Sequence, residues 1–130
     1  MTRSPVETDA SEQPSQLPFA PKYNVVVAFI DRHIAEGRAA KVAIRTADSA
    51  ITYAELAANI NRCADGLVRL GFARGERVLM VMKDCPAFFY LFWGVIKAGI
   101  VPVLLNTLLR SSSYDFMIND SGAAAMLRFA

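Results

Sequence analysis

Residues 75–105 read GERVLMVMKDCPAFFYLFWGVIKAGIVPVLL, and this stretch decides the fold. Gly75-Glu76-Arg77 leads into Val78-Leu79-Met80-Val81-Met82, which is apolar on both pleat faces. A strand of that kind is covered on two sides, as in parallel sheets. Asp84, Cys85 and Pro86 then mark a helix start. Pro86 is tolerated in the first turn because its missing N–H would have been unpaired there anyway. Residues 87–98 are apolar nearly all round, and Gly99 ends the helix. Residues 100–105 form a second buried strand. Pro102 removes one ladder donor, which places this strand at an edge or makes the proline a strand end. Strand, helix and strand in this order make one parallel crossover unit.

Working outward, Asn24 sits where a helix N-cap would, and Val26, Phe29, Ile30, His33 and Ile34 recur at helical spacing until Gly37 stops them. Residues 42–45 and 51–52 are short extended runs around Ala47-Asp48-Ser49, a small hairpin ahead of the main body. Thr52-Tyr53-Ala54-Glu55 is a capping box: the Thr52 hydroxyl accepts from the Glu55 N–H while the Glu55 carboxylate reaches back to the Thr52 N–H. Tyr53, Leu56, Ile60, Cys63, Ala64, Leu67 and Leu70 then make one apolar stripe, and Gly71 follows as a left-handed C-terminal residue. On the far side, Ser111-Ser112-Ser113 opens a helix holding Tyr114, Phe116, Met117 and Ile118, Ser121-Gly122 closes it, and residues 123–129 are a last short strand. Helix, hairpin, then helix and strand alternating three times predict an α/β fold: a layered, mainly parallel sheet with flanking helices, preceded by a small hairpin. The chain stops directly after a strand that no further helix or strand covers, so the expectation is an incomplete N-terminal part of such a fold.

The 130 residues, 54% hydrophobic, 20% charged and net +2, describe a well-packed globular chain of one domain at most. Cys63, Cys85 and the single histidine, His33, cannot form a closed structural zinc site, and a reduced cytoplasmic setting is the default for so few cysteines. The opening MTRSPVETDASEQPSQLP carries Asp, Glu and Pro where a signal peptide needs an apolar core, and residues 1–22 are expected to be a disordered tail. The greasiest stretch, residues 85–109, is broken by Lys97, Gly99 and Pro102. Its continuous apolar runs fall short of the roughly 20 residues that span a membrane. The scattered Lys and Arg give no case for nucleic acid.

No active site emerges from the residues alone. There is no G-x-G-x-x-G, no Walker-type Gly-Lys-Ser/Thr and no G-x-S-x-G; Gly71 and Gly75 read as turn residues. His33 falls in the last turn of a helix, where a partly cationic imidazole favours the dipole. Cys63 lies on a core stripe and Cys85 at a helix entry, as a buried or capping thiol; Asp84 and Glu55 read as caps. No catalytic, cofactor-binding or metal-ligating residue is therefore assigned.

The segments taken together say more. Residues 51–56 (ITYAEL), Gly75-Glu76-Arg77-Val78, residues 92–103 (FWGVIKAGIVPV) and Asn106 resemble the opening of the adenylate-forming superfamily of acyl-CoA synthetases, adenylation domains and luciferases. Lys83-Asp84-Cys85-Pro86, residues 88–94 (FFYLFWG) and Asn106-Thr107-Leu108-Leu109 look most like its benzoate-CoA ligase branch. The resemblance covers residues 23–128. It implies an enzyme in which ATP and a carboxylic acid give an acyl-adenylate and pyrophosphate, after which the coenzyme A thiol displaces AMP, with Mg²⁺ and phosphates handled by charge stabilisation. The family's Ser/Thr/Gly-rich phosphate loop, adenine and ribose contacts, hinge and catalytic lysine all lie downstream of Ala130, so none is carried over and no cofactor is assigned to this chain. Arg110, beside the Asn106-Thr107 turn, could approach coenzyme A phosphates in a full enzyme; an exposed loop arginine is the favoured reading.

The resemblance divides the chain into the tail, residues 1–22, and a partial N-terminal subdomain of an adenylate-forming ligase, residues 23–130. The expected function is that of the N-terminal fragment of an aromatic, benzoate-like acid–CoA ligase, not catalytic alone. Two alternatives stand beside it. One is half of a split ligase completed by a complementary C-terminal chain. The other is a membrane-surface module using residues 85–109, disfavoured because a helix-to-strand turn already explains Lys97 and Pro102. The apolar excess at residues 88–105 predicts a chain that aggregates or needs a partner.

Overall fold

A computed structural model describes residues 22–128. Along the chain run a π-helical stretch, Val27–Asp31, passing into α1 (Arg32–Ala35), then β1 (Val42–Arg45), β2 (Ala50–Thr52), α2 (Tyr53–Arg69), β3 (Arg77–Val81), α3 (Pro86–Lys97), β4 (Val101–Leu104), α4 (Ser111–Ser121) and β5 (Ala125–Arg128). The tail expected at residues 1–22 falls outside the described residues except for Lys22, as does Phe129 of the last strand.

The all-apolar run becomes the central strand. The sheet order is β4-β3-β5, with β3 parallel to both neighbours, and β1 and β2 form a separate antiparallel hairpin. Val78, Leu79, Met80, Val81 and Met82 are all buried, as a strand flanked on both edges and both faces requires. Pro102 lies on the edge strand. The N–H groups of Val101 and Leu105 donate to Glu76 O and Met80 O, so the alternation of the strand turns position 102 outward. Proline there costs no bond to β3 and removes a donor from the outer edge, which discourages further pairing.

The core has two parts. Leu67, Val78, Met80, Met82, Val95 and Ile100 join α2 and α3 to one face of the sheet. Val26, Ile30, Leu56 and Ile60 join the N-terminal helical stretch to α2, with Trp93 and Ile96 of α3 packed against them. The two helices meet at Gly94, where a Cβ would lie 2.6 Å from the Cys63 Cβ. The capping box is present in full: the Glu55 N–H donates to Thr52 Oγ1 at 3.2 Å and the Thr52 N–H to Glu55 Oε2 at 2.8 Å. Gly122 ends α4 in the left-handed region, φ 60°.

Several expectations are corrected. Leu70 is 77% exposed rather than part of the α2 stripe, because it stands past the last helical residue, where the chain turns into solvent. The first helix is π-helical over Val27–Asp31, which leaves Phe29 exposed against Trp93 at a ring separation of 5.8 Å. Asp84 does not cap α3; the N-cap is Cys85, without a side-chain cap bond. In α4, Arg110 is the N-cap and the serines fall inside the first turn. None of its residues is buried, and Phe116 is 66% exposed.

Candidate functional site

β4 and β5 flank β3 on opposite sides, so the chain leaves β3 for one neighbour and returns past it to the other, a strand order that right-handed crossovers serve from opposite faces. The crevice between such strands, at their carboxyl ends, is where open α/β sheets take ligands. A cleft of about 510 Å³ opens there. Met82, Lys83 and Asp84 after β3, Phe88 in the first turn of α3, and Leu104, Leu105, Asn106 and Thr107 after β4 line it.

The far wall is held by side chains. Asn106 Oδ1 accepts from the Leu108 N–H at 2.8 Å, and the Tyr114 hydroxyl donates to Asn106 O at 2.6 Å. The Leu109 N–H donates to that hydroxyl oxygen at 3.3 Å. Asn106, singled out in the sequence, is thus a wall residue of this cleft, whereas Arg110 stands outside it, exposed at the start of α4. Lys83 and Phe88 carried no chemical signal of their own. Their place at the end of the first strand of a strand–helix–strand unit was the available clue. Nothing in the sequence announced Tyr114 as the clasp.

The other titratable residues serve structure. His33 Nδ1 accepts from Arg38 Nε at 2.9 Å, a bond that uses the lone pair of the neutral imidazole. The ring stacks on Tyr53 at 4.1 Å. Burial, then the Arg38 and Arg32 charges, hold the imidazole below its ordinary pKa. Glu36 closes the group, paired with Arg38 and, at 2.9 Å, with Arg32; the Arg38 hydrogen bond holds its carboxyl below the usual range. Cys63 is half-buried on α2, and desolvation pushes its thiol up, the opposite of an activated nucleophile. Among the described residues, no group of three His, Cys, Asp or Glu could hold a metal ion.

The arrangement is that of an α/β fold with its cleft at the carboxyl edge of a parallel sheet. The sequence profile of the AMP-binding enzymes matches residues 31–129, and the chain belongs to that family. It is 44% identical over 99 residues to the 4-hydroxybenzoate–CoA/benzoate–CoA ligase of Rhodopseudomonas palustris, a match covering 76% of this chain and 18% of that protein. The crystal structure of a benzoate CoA ligase from Burkholderia xenovorans superposes with a TM-score of 0.72 at 38% identity, over 81% of this chain and 21% of that one. An anthranilate CoA ligase solved with anthranoyl-AMP superposes at 0.76 with 30% identity, over 88% of this chain and 22% of that one. The chain thus spans about a fifth of the length of the relatives it matches. Among the described residues, no helix is long and apolar enough to cross a membrane.

Proposed function

We propose that this chain supplies the N-terminal part, residues 23–130, of an ATP-dependent aromatic carboxylic acid–CoA ligase that works through an acyl-adenylate. The 44% identity over 99 residues to a ligase of benzoate and 4-hydroxybenzoate carries the reading. The related anthranilate enzyme, solved with its acyl-AMP, supports the adenylate route. ATP, Mg²⁺ and coenzyme A belong to the completed enzyme. The residues present do not fit a magnesium triphosphate: the carboxyl-edge cleft offers one ammonium, Lys83, and one carboxylate, Asp84, beside Asn106, Thr107 and four apolar side chains. This chain's role is therefore to build the sheet edge on which the remaining parts assemble, in the cytoplasm, without nucleic acid or membrane as partner.

Catalysis then depends on a complementary C-terminal ligase polypeptide, in the same reading frame or as a second chain. The unburied α4, with Phe116 66% exposed, and the sheet-face residues Val101 at 44% and Met126 at 37% are the surfaces such a partner would cover, and they favour aggregation without it. The direct test is to incubate the purified 130-residue chain with ATP, Mg²⁺, coenzyme A and benzoate. No thioester is expected; measurable benzoyl-CoA would overturn the dependence on a partner.

A further inference from the structure

A second cavity, of about 530 Å³, opens at the other edge of the sheet, where β3 and β4 begin, and no step of the ligase reading uses it. Its size is that of small-molecule pockets, roughly 300–1,000 Å³. Among the described residues, three cations line it, Lys22, Arg74 and Lys97, and no acidic residue does. Asp31 pairs with Lys97, with Nζ–O distances of 3.2 and 3.3 Å. Among the described residues, Lys22 and Arg74 have no ion-pair partner.

The walls are fixed from three separate stretches of chain. The Asn24 carboxamide donates to Ile96 O at 2.9 Å and accepts from the Val26 N–H at 3.1 Å, tying the N-terminal segment to the end of α3. The Gly75 N–H donates to Gly99 O at 2.8 Å, joining the turn before β3 to the turn before β4. Gly99 has φ +80°, and a Cβ on it would sit 3.1 Å from Arg74 Cγ. The arginine stem lies close against this turn, and Arg74 lines the cavity. Val25, Ile96 and Ile100 supply apolar wall.

We propose that this amino-edge cavity binds a small organic phosphate monoester, its phosphate held by Arg74 and Lys22 and its apolar body set against Ile96 and Ile100. A phosphate monoester carries about −1.5 to −2 charge at pH 7, matching the two cations Lys22 and Arg74 in the lining. The planar guanidinium fork bonds such oxygens in pairs. The site goes beyond the ligase reading, since it needs no adenylation chemistry.

Phenyl phosphate is the probe, measured by equilibrium dialysis on the full chain. Saturable binding is expected, weakened about ten- to a hundredfold by Arg74→Gln or by Lys22→Gln, the loss of one charge-assisted contact. Lys41→Gln, at an exposed position outside the cavity, should leave it unchanged. Benzoate, with a similar body and a single charge, should bind at least about tenfold more weakly. Circular dichroism of each variant verifies folding, and Lys22→Gln decides the matter if Arg74→Gln fails to fold. Absence of saturable binding overturns the proposal. So does affinity retained in the folded Arg74→Gln or Lys22→Gln variants, benzoate binding as tightly as phenyl phosphate, or inorganic phosphate doing so.

Discussion

Gly94 of α3 and Cys63 of α2 meet with no room for a side chain between them: a Cβ on Gly94 would lie 2.6 Å from the Cys63 Cβ and 3.3 Å from Ala64 N and Ile60 O. Replacing a helical glycine by alanine ordinarily stabilises by about 1 kcal/mol. Here Gly94→Ala should instead destabilise by about 1–3 kcal/mol through overpacking, read as a lowered urea midpoint. Cys63→Ala should not relieve the loss, because the Cβ and the helix backbone that cause the clash remain. A stabilised Gly94→Ala variant would show that the two helices are not in this contact.

Asn24 and Asp31 both reach α3, with unequal consequence. Asn24 bonds the Ile96 carbonyl and the Val26 N–H, so Asn24→Ala should cost about 1–2 kcal/mol. The Asp31–Lys97 pair is 37% and 30% exposed, and Asp31→Asn should cost less than about 1 kcal/mol. Chemical denaturation of the two variants side by side checks the ranking.

Stability should fall as pH drops below the ordinary histidine value of 6.5. The His33 pKa is lowered in the folded chain from its ordinary value of 6.5. Between the folded value and 6.5 the unfolded chain binds more protons, so stability is complete above 6.5 and declines with acid until the folded imidazole also titrates. His33→Gln, which keeps an acceptor for Arg38, should flatten the pH profile of the urea midpoint in that window. An unchanged slope would remove His33 as the cause.

The capping box gives a separate acid limb. The Thr52 N–H and hydroxyl hold the Glu55 carboxyl below its ordinary value of 4.5. Its contribution is present above 4.5 and is lost as pH falls through the lower folded value. Glu55→Gln should shrink this limb, and Thr52→Ala should cost about 1 kcal/mol at neutral pH. Thermal unfolding as a function of pH measures both.

Most of the framework could be read from residue order, because it rests on local rules. An all-apolar run between turn signals made β3 central, Pro86 opened α3, and Thr52 with Glu55 started α2. What escaped the sequence is what depends on a partner in space. The apolar residues that α4 holds do not say whether anything covers them, and Phe116 is exposed. His33 sat correctly at a helix end, yet its charge state is set by Arg38 arriving from the following loop. The carboxyl-edge cleft combines the ends of two strands, and the amino-edge cavity gathers Lys22, Arg74 and Lys97 from three distant segments. No spacing in the chain announces either one.

The central claim, that this chain is the N-terminal part of an aromatic acid–CoA ligase and acts only when completed, is tested most directly by complementation. The chain is co-expressed with the part of the Rhodopseudomonas palustris ligase that follows its matched segment, and benzoyl-CoA formation from ATP, coenzyme A and benzoate is measured against each polypeptide alone. Thioester formed only by the pair is the expected result. Thioester formed by this chain alone, or a folded and associated pair that forms none, would contradict the account.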